Sequence, residues 1–402
     1  MALLTVLIPF LAFCPLIEAH GEEPLPDKSV TPDPNAVLVF FGTRHGNRNP
    51  GKFIEQNPRI WGKEGDTELT KYGKKQAFGL GHELRNFVDH FVDSNYEAGS
   101  AKFYSSSANR CQMTLQAALA GLYPPKSYAS WGTVDWTPVP YTIDDPLLRM
   151  YAVDGCPNSD KAWNPISDDK LDDLAELTQK KEDVLNYIAK NTGWNASISD
   201  AADLADNIIE LVSALDLYGA PYPDWLEKPT LKGYSKTSLK KEIMEFAENH
   251  QIKCADYAPC REMMGGLWLN HVIENLQKLV DGKQKLDIIG YASHTEVTLA
   301  LMKLMHMDKK EITTSAGFVI EVRKNGETYE LRLLNHDPNP IETHVIYQAK
   351  YSDDLKNLSK DGIWVKVKDF ISLVKPKAFS DWKKACGVLK DTAECGIPAA
   401  YS

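Results

Sequence analysis

The protein has 402 residues and a formal net charge of −10 at neutral pH. An acidic balance of this size disfavours nucleic acid and an anionic membrane surface as partners. After the N-terminal segment, no stretch reaches the roughly 18 consecutive apolar residues that a membrane-spanning helix needs. The length suffices for one large domain with an insertion, or for two domains.

Residues 1–19 are typical of a secretory signal peptide. A short apolar core runs from Leu3 to Leu16, and Ala19 is a small residue at a plausible cleavage point. We therefore expect a protein that is secreted to the extracellular space and begins near residue 20. Cys14 would leave with the signal peptide.

The apolar pattern predicts strands that alternate with helices, then a polar helical stretch, then a return to strands. In chain order the predicted elements are a strand at 36–42, a helix at 67–91, a strand at 101–106, a helix at 110–122, helical segments at 168–191, 200–217 and 237–249, a helix at 265–281, a strand at 286–292, a helix at 295–306, and a hairpin of 318–324 and 328–334 around Asn325-Gly326. This order predicts an α/β core with a helical insertion.

The segment Arg44-His45-Gly46-Asn47-Arg48-Asn49-Pro50 directly follows the first predicted strand. An imidazole in this position can attack a phosphorus atom, while the two guanidinium groups bind phosphate oxygens through paired hydrogen bonds. Gly46 is expected to let the backbone come close to a ligand, and Pro50 to end the turn. The segment therefore predicts the floor of a phosphate site.

This motif resembles the Arg-His-Gly-x-Arg-x-Pro signature of the histidine acid phosphatases, and residues 105–125 and 287–294 resemble two further segments of that family. The resemblance implies an α/β histidine-phosphatase fold for residues 20–402. Residues of about 36–150 and 262–402 would form its α/β core, a central, mostly parallel sheet flanked by helices. Residues of about 151–261 would form a smaller helical cap domain. It also implies the roles of the site residues. His45 would be the nucleophile, and the phosphate would be held by Arg44, Arg48, a third arginine and His294.

Two positions depart from the family pattern. Tyr104 aligns with the third phosphate-binding arginine, and Thr295 aligns with the aspartate that protonates the leaving group. A hydroxyl has no accessible proton at acid or neutral pH, so Thr295 cannot replace that aspartate. Loss of a general acid lowers the rate by about 10²–10⁴, and loss of a charge-stabilising group by about 10²–10³. The sequence therefore favours a protein that is not an efficient enzyme.

Glu296 offers a substitute for the missing acid. In a branch of the same superfamily, the multiple inositol polyphosphate phosphatases, a glutamate at this spacing supplies the proton. The other interpretation is that Glu296 only interacts with the positive N-terminus of the helix that starts at residue 295. If the first interpretation holds, the protein is an active secreted acid phosphatase that uses His45 and Glu296.

With Tyr104 in place of an arginine, the pocket is expected to be aromatic and less cationic. Such a cavity suits an amine with an aromatic body, held by stacking and by a carboxylate–ammonium pair. The candidate carboxylates are Glu296 and Asp154, whereas the remaining arginines and histidines would suit a carboxylate or phosphate. The candidate wall residues are Tyr151, Trp163 and Trp225, although aromatic residues of this kind more often fill a core.

The chain also resembles the secreted acid-phosphatase-like salivary proteins of fleas, which have lost catalytic residues. That resemblance implies a non-catalytic binder of biogenic amines such as serotonin, and of leukotrienes, with no cofactor. Homodimerisation occurs in related phosphatases, but no edge or apolar patch in this sequence supports it.

Six cysteines remain after the signal peptide, and an even number in a secreted chain predicts three disulfide bonds. They are Cys111, Cys156, Cys254, Cys260, Cys386 and Cys395. Closeness in sequence favours Cys254–Cys260 and Cys386–Cys395, which would leave Cys111 to pair with Cys156. A zinc site is disfavoured because no Cys-x-x-Cys pair or nearby histidine cluster occurs. Asn195 and Asn357 begin glycosylation sequons.

Overall fold

The computed structural model describes residues 24–53, 61–194 and 201–388. The predicted signal peptide, Cys395 and Asn195 lie outside these ranges. No helix within them combines the length and the apolar character needed to cross a membrane.

The predicted elements occur along the described residues in the predicted order, with further short strands and helices among and after them. The strands are β1 (Ala36–Arg44), β2 (Ala101–Ser105), β3 (Thr142–Ile143), β4 (Ile288–Ser293), β5 (Gly317–Asn325), β6 (Thr328–Pro338), β7 (His344–Gln348) and β8 (Val365–Lys366). The helices are α1 (Lys71–Val88), α2 (Asn109–Leu122), α3 (Asp145–Leu148), α4 (Pro157–Ser167), α5 (Asp172–Lys180), α6 (Glu182–Thr192), α7 (Ala201–Tyr218), α8 (Asp224–Glu227), α9 (Lys236–Asp256), α10 (Ala258–Val280), α11 (Thr295–Leu304), α12 (Asp353–Lys356), α13 (Val367–Val374) and α14 (Trp382–Cys386).

All of these strands join one sheet, in the order β3-β2-β4-β1-β5-β6-β7, with β8 paired to β6. The half formed by β3, β2, β4 and β1 is parallel, and the half from β5 onward is antiparallel. The predicted α/β fold with a parallel core is confirmed. The predicted hairpin is also confirmed, because β5 and β6 pair directly, with Asn325 opposite Thr328 and with Gly326, at φ +59°, in the turn between them.

Strand β1 lies in the middle of the sheet and is apolar on both faces. Side chains alternate along a strand, so Leu38 and Phe40 join the core on the side of α10 and α11. Val39 and Phe41 join the core on the side of α1 and α2. Burial on both sides explains the continuous apolar run at 36–41, and it places the end of β1 at the centre of the molecule.

Within the stretch from α4 to α9, which we call the helical insert (157–256), helices α6 to α9 build a cluster of their own that includes Ile188, Leu239 and Phe246. Ala162 and Ile166 of α4 belong to the main core. The segment predicted as helical at 168–191 is two helices, because the chain leaves helical geometry at Lys181 between α5 and α6. The spacing of apolar residues in the sequence does not reveal an interruption of a single residue. Lys181 is buried there in ion pairs with Glu242 and Glu245 of α9.

Two of the three predicted disulfide bonds are wrong. Cys254–Cys260 is confirmed, but Cys386 bonds to Cys156, with the two Cα atoms 4.5 Å apart, and not to Cys395. The predicted Cys111–Cys156 bond is therefore wrong, and Cys111 is a buried free thiol. The pairing could not be predicted from closeness in sequence, because α14 packs against the start of α4 although Cys156 and Cys386 are 230 positions apart. Such bonds persist in oxidising compartments.

Candidate functional site

The carboxyl ends of three parallel strands meet at one place in the sheet. His45 follows β1, His294 follows β4, and the segment Ser106–Arg110 follows β2. The strand registers align these ends, since Arg44 pairs with Ser293 and Ser105 with Ala292. The sheet topology therefore gathers residues that are about 250 positions apart, at the edge where open α/β sheets bind ligands.

His45 is buried and is held in one tautomer. Its Nδ1 lies 2.9 Å from the carbonyl oxygen of Gly46. A carbonyl only accepts, so Nδ1 carries the proton and Nε2 has a free lone pair. Burial, followed by the charges of Arg110 and Arg44, holds the pKa of His45 well below its usual range. The imidazole is therefore neutral at physiological pH, which is the state that a nucleophile requires.

His294 lies beside His45, with the two ring centroids 5.6 Å apart. A guanidinium nitrogen of Arg110 donates to its Nδ1 over 3.3 Å, and its Nε2 lies 3.0 Å from the hydroxyl of Ser106. Because arginine only donates, Nε2 of the neutral ring carries the proton. Burial and the charges of Arg110 and Arg149 hold the pKa of His294 well below its usual range.

Both motif arginines are buried and ion-paired with α7. Arg44 contacts Glu210 at 2.9 Å and also donates to the carbonyl of Ile312 at 3.1 Å. Arg48 pairs with Asp206. Burial alone would lower the pKa of Arg48, but the carboxylates of Asp206 and Glu210 outweigh that effect and raise it. The guanidinium groups expected to hold phosphate are therefore already bound to carboxylates.

Tyr104 is not part of this site, and the expectation that it replaces a pocket arginine is wrong. Its ring stacks on Tyr291, with centroids 5.5 Å apart, and meets His271 edge-on at 5.0 Å. Side-chain alternation in β2 turns it toward the core of α10. Arg110, in the first turn of α2, lines the cavity in its place. The run Ser105–Arg110 ends in an arginine, and that signal was available in the sequence.

Thr295 and Glu296 both line the cavity at the start of α11, whose N-cap is His294. Burial raises the pKa of Glu296, and the nearby Asp206 carboxylate adds to the effect, whereas a backbone N–H at the helix start opposes it. Both sequence interpretations of Glu296 thus describe part of its environment. It lies at the helix N-terminus, and it faces the cavity.

The cavity has a volume of about 330 Å³. Tyr151 and Trp163 line it and stack with centroids 5.7 Å apart, and Tyr151 also meets the ring of His294 edge-on at 5.6 Å. Of the other candidates, Trp225 packs inside the helical insert and Asp154 is exposed. The sequence did not single out the further wall residues Arg110, Arg149, Asp206 and His250.

Gly46 is required for packing against the protein itself. A Cβ at this position would lie 2.5 Å from the carbonyl oxygen of Gly73 and 2.7 Å from its Cα, both backbone atoms of α1. We expect Gly46→Ala to lower the free energy of unfolding by about 1–3 kcal/mol, because overpacking displaces backbone. Urea unfolding measures this loss. Gly99→Ala is the control, since its Cβ would meet nothing within 4 Å, and an equal effect of the two variants would contradict the argument.

Within the described ranges, no three histidine, cysteine, aspartate or glutamate side chains converge to hold a metal ion. The thiol of Cys111 lies 3.5 Å from Nε2 of His294, and burial raises its pKa to about 11. This thiol is therefore protonated at physiological pH and is not a nucleophile.

The chain belongs to branch 2 of the histidine phosphatase superfamily, whose family model matches residues 37–319. The lysosomal acid phosphatase of Rattus norvegicus is similar to it over 366 residues, with 22% identity across 89% of this chain and 82% of the rat protein. The family relationship fits the site, in which the signature motif follows β1 and the second histidine follows β4.

Solved structures show the same fold. A phytase from Klebsiella sp ASR1 superposes with a TM-score of 0.61 at 15% identity, covering 89% of this chain and 100% of the phytase. The multiple inositol polyphosphate phosphatase of Bifidobacterium longum, in complex with inositol hexasulfate, gives a TM-score of 0.57 at 11% identity, covering 89% of this chain and 95% of that one. At these identities the likeness concerns the fold alone.

Proposed function

We propose that the protein is a secreted, catalytically impaired acid-phosphatase-like protein that binds a small amine with an aromatic body, such as serotonin, in its former active-site cavity. The observation that carries this proposal is the composition of the wall. Two carboxylates, Asp206 and Glu296, line the same cavity as the stacked rings of Tyr151 and Trp163.

An ammonium group between these carboxylates would relieve their mutual repulsion, to which Asp206 contributes by raising the pKa of Glu296. The aromatic pair offers a face for the ring of the ligand. A cavity of about 330 Å³ also suits a small molecule. The aromatic surface and the size of the cavity therefore favour this ligand class, and Asp206 and Glu296 offer partners for its ammonium group.

The position of the family's general acid supports impaired catalysis. Thr295 lines the cavity there but has no proton to give at acid pH. A lipid mediator with a carboxylate, such as a leukotriene, is a further ligand of this proposal, with Arg110 and Arg149 as its partners in the wall. Asn357 is exposed, which supports its prediction as a glycosylation site. Homodimerisation stays a prediction.

Hydrolysis of a phosphomonoester is the second candidate function, with His45 as nucleophile and Glu296 as acid. It is favoured by Arg110, which supplies a third guanidinium group, and by the position of Glu296 in the cavity wall with a raised pKa. A raised pKa keeps a carboxylic acid protonated and able to donate at higher pH.

Two measurements on the purified protein separate these candidates. Calorimetry with serotonin is expected to give a dissociation constant of about 10⁻⁷ M or lower, which a stoichiometric scavenger needs. Turnover of p-nitrophenyl phosphate at pH 5 within tenfold of an ordinary acid phosphatase, abolished in His45→Ala, would establish the second function instead. If none of serotonin, histamine, a catecholamine and a cysteinyl leukotriene gives a heat of binding, the proposed amine-binding function has no support.

The affinity for serotonin is expected to fall when the pH is lowered from 7.5 to 5. The ammonium of the ligand stays charged over this range, but Glu296 has a raised pKa and takes up a proton at a higher pH than an ordinary glutamate. Its attraction for the ammonium is lost as the pH falls through that raised value. Titrations at several pH values measure the slope.

Glu296→Gln provides the test of that pH dependence. This variant should bind about tenfold more weakly at pH 7.5 and show a flatter profile. Glu274→Gln, on the exposed surface of α10, is the matched control and should behave like the wild type. An unchanged pH slope in Glu296→Gln would show that another group is responsible.

A further inference from the structure

One face of α7 points two carboxylates at the signature motif. Asp206 and Glu210 are four residues apart, so they lie on the same side of the helix. Asp206 pairs with Arg48, and Glu210 pairs with Arg44 at 2.9 Å. Each motif arginine therefore has its own carboxylate from the helical insert.

The Arg44–Glu210 pair is poorly suited to stabilising the fold. The side chains of Arg44 and Glu210 are only 5% and 2% exposed, and the second carboxylate oxygen of Glu210 has no hydrogen-bond partner among the described residues. Buried pairs recover little of the free energy that their desolvation costs. This pair is better explained by what it does to the cavity.

Helix α7 is anchored, so its carboxylates are held at the arginines. The side-chain oxygen of Asn207 accepts a hydrogen bond from the backbone N–H of Lys52 at 2.8 Å. Leu215 packs with Phe53 and Trp61, and Tyr218 stacks on Trp61 with centroids 5.6 Å apart. A phosphate that entered the cavity would have to compete with anions already fixed in place.

We propose that Asp206 and Glu210 are specificity-determining residues that act as internal anions, occupying Arg48 and Arg44 respectively so that these two arginines do not hold phosphate. This inference refines the proposed function and rests on the same cavity. Charge explains the effect, because an oxyanion in the cavity would face the Asp206 carboxylate in the wall, while Arg48 and Arg44 are already paired with Asp206 and Glu210.

The test is calorimetry with inorganic phosphate on Asp206→Asn, Glu210→Gln and the double variant. The double variant should bind phosphate at least tenfold more tightly than the wild type, and each single variant should lie between. Asp216→Asn is the matched control, because it lies on the same helix but pairs with Lys240. The single variants keep the test decisive if the double variant does not fold, which thermal unfolding will show.

The outcomes separate this inference from the proposed function. Equal phosphate affinity in wild type, single variants and control would overturn the inference, whatever the amine result. Tighter phosphate binding in the variants, with no serotonin binding by the wild type, would support the inference and refute the amine proposal. Serotonin binding that weakens in Asp206→Asn while phosphate binding strengthens would support both.

Discussion

At saturating p-nitrophenyl phosphate and pH 5, Thr295→Asp is expected to turn over at least about 100-fold faster than the wild type. Thr295 lines the cavity at the first residue of α11, directly after His294. An aspartate there would supply the proton that the leaving group needs, a contribution of about 10²–10⁴ in rate. His45 is already neutral with Nε2 free, and Arg110 already supplies the third guanidinium group.

Two controls make this result specific. In Thr295→Asn the new side chain has nearly the shape of the aspartate in Thr295→Asp but no acidic proton, so this variant should hydrolyse the substrate at the wild-type rate. His45→Ala in the Thr295→Asp background should abolish the gain. Adding Tyr104→Arg should bring no further rate, because Tyr104 stacks on Tyr291 away from the cavity. If Thr295→Asp stays inactive although it binds phosphate, the loss of the aspartate is not what limits catalysis.

The same assay tests the role of Glu296. If wild-type turnover is substantial and Glu296→Gln removes it, Glu296 is the acid and the protein is a phosphatase. If Glu296→Gln leaves a low wild-type rate unchanged while it weakens serotonin binding, Glu296 serves the amine.

Removal of the Cys156–Cys386 bond is expected to cost more stability than removal of Cys254–Cys260. The first bond links residues 230 positions apart and the second links residues 6 apart. In the chain-entropy description, loops of these lengths correspond to about 5 and about 2 kcal/mol of unfolding free energy. The long bond also ties α14 to the start of α4, at the base of the helical insert.

Denaturant unfolding of the two double variants, Cys156→Ala with Cys386→Ala and Cys254→Ala with Cys260→Ala, measures this difference. Each pair loses the same atoms from buried positions, so the comparison isolates the loop that each bond closes. A larger loss for the short loop would show that local packing around Cys254 outweighs the constraint on the unfolded chain.

The sequence predicted the local elements well. The strand at 36–42, the helices that follow β2 and β4, and the hairpin at Asn325-Gly326 all occur as expected. Each depends on residues close together in the chain, such as an apolar run or a turn dipeptide. The break at Lys181 escaped prediction because apolar residues at helical spacing occur on both sides of it, in α5 and in α6.

The errors at the site came from the direction of side chains. Tyr104 was taken as a pocket residue from an alignment of types, yet its place in β2 turns it toward Tyr291. Arg110 has the pocket role because the chain enters α2 and directs the first turn of that helix into the cavity. The disulfide pairing failed for a related reason, since closeness in sequence says nothing about which ends of the chain pack together.

By itself, the sequence determined the family signature, the α/β order of the elements, and the two histidines that meet at the carboxyl ends of β1 and β4. Only the tertiary structure decided the charge of the cavity. Asp206 and Glu210 have the sequence signature of ordinary polar residues on an amphipathic helix, and they lie 158 and 166 positions from the arginines that they contact. Contacts over such distances arise from how α7 packs against the motif, and no local pattern encodes that packing.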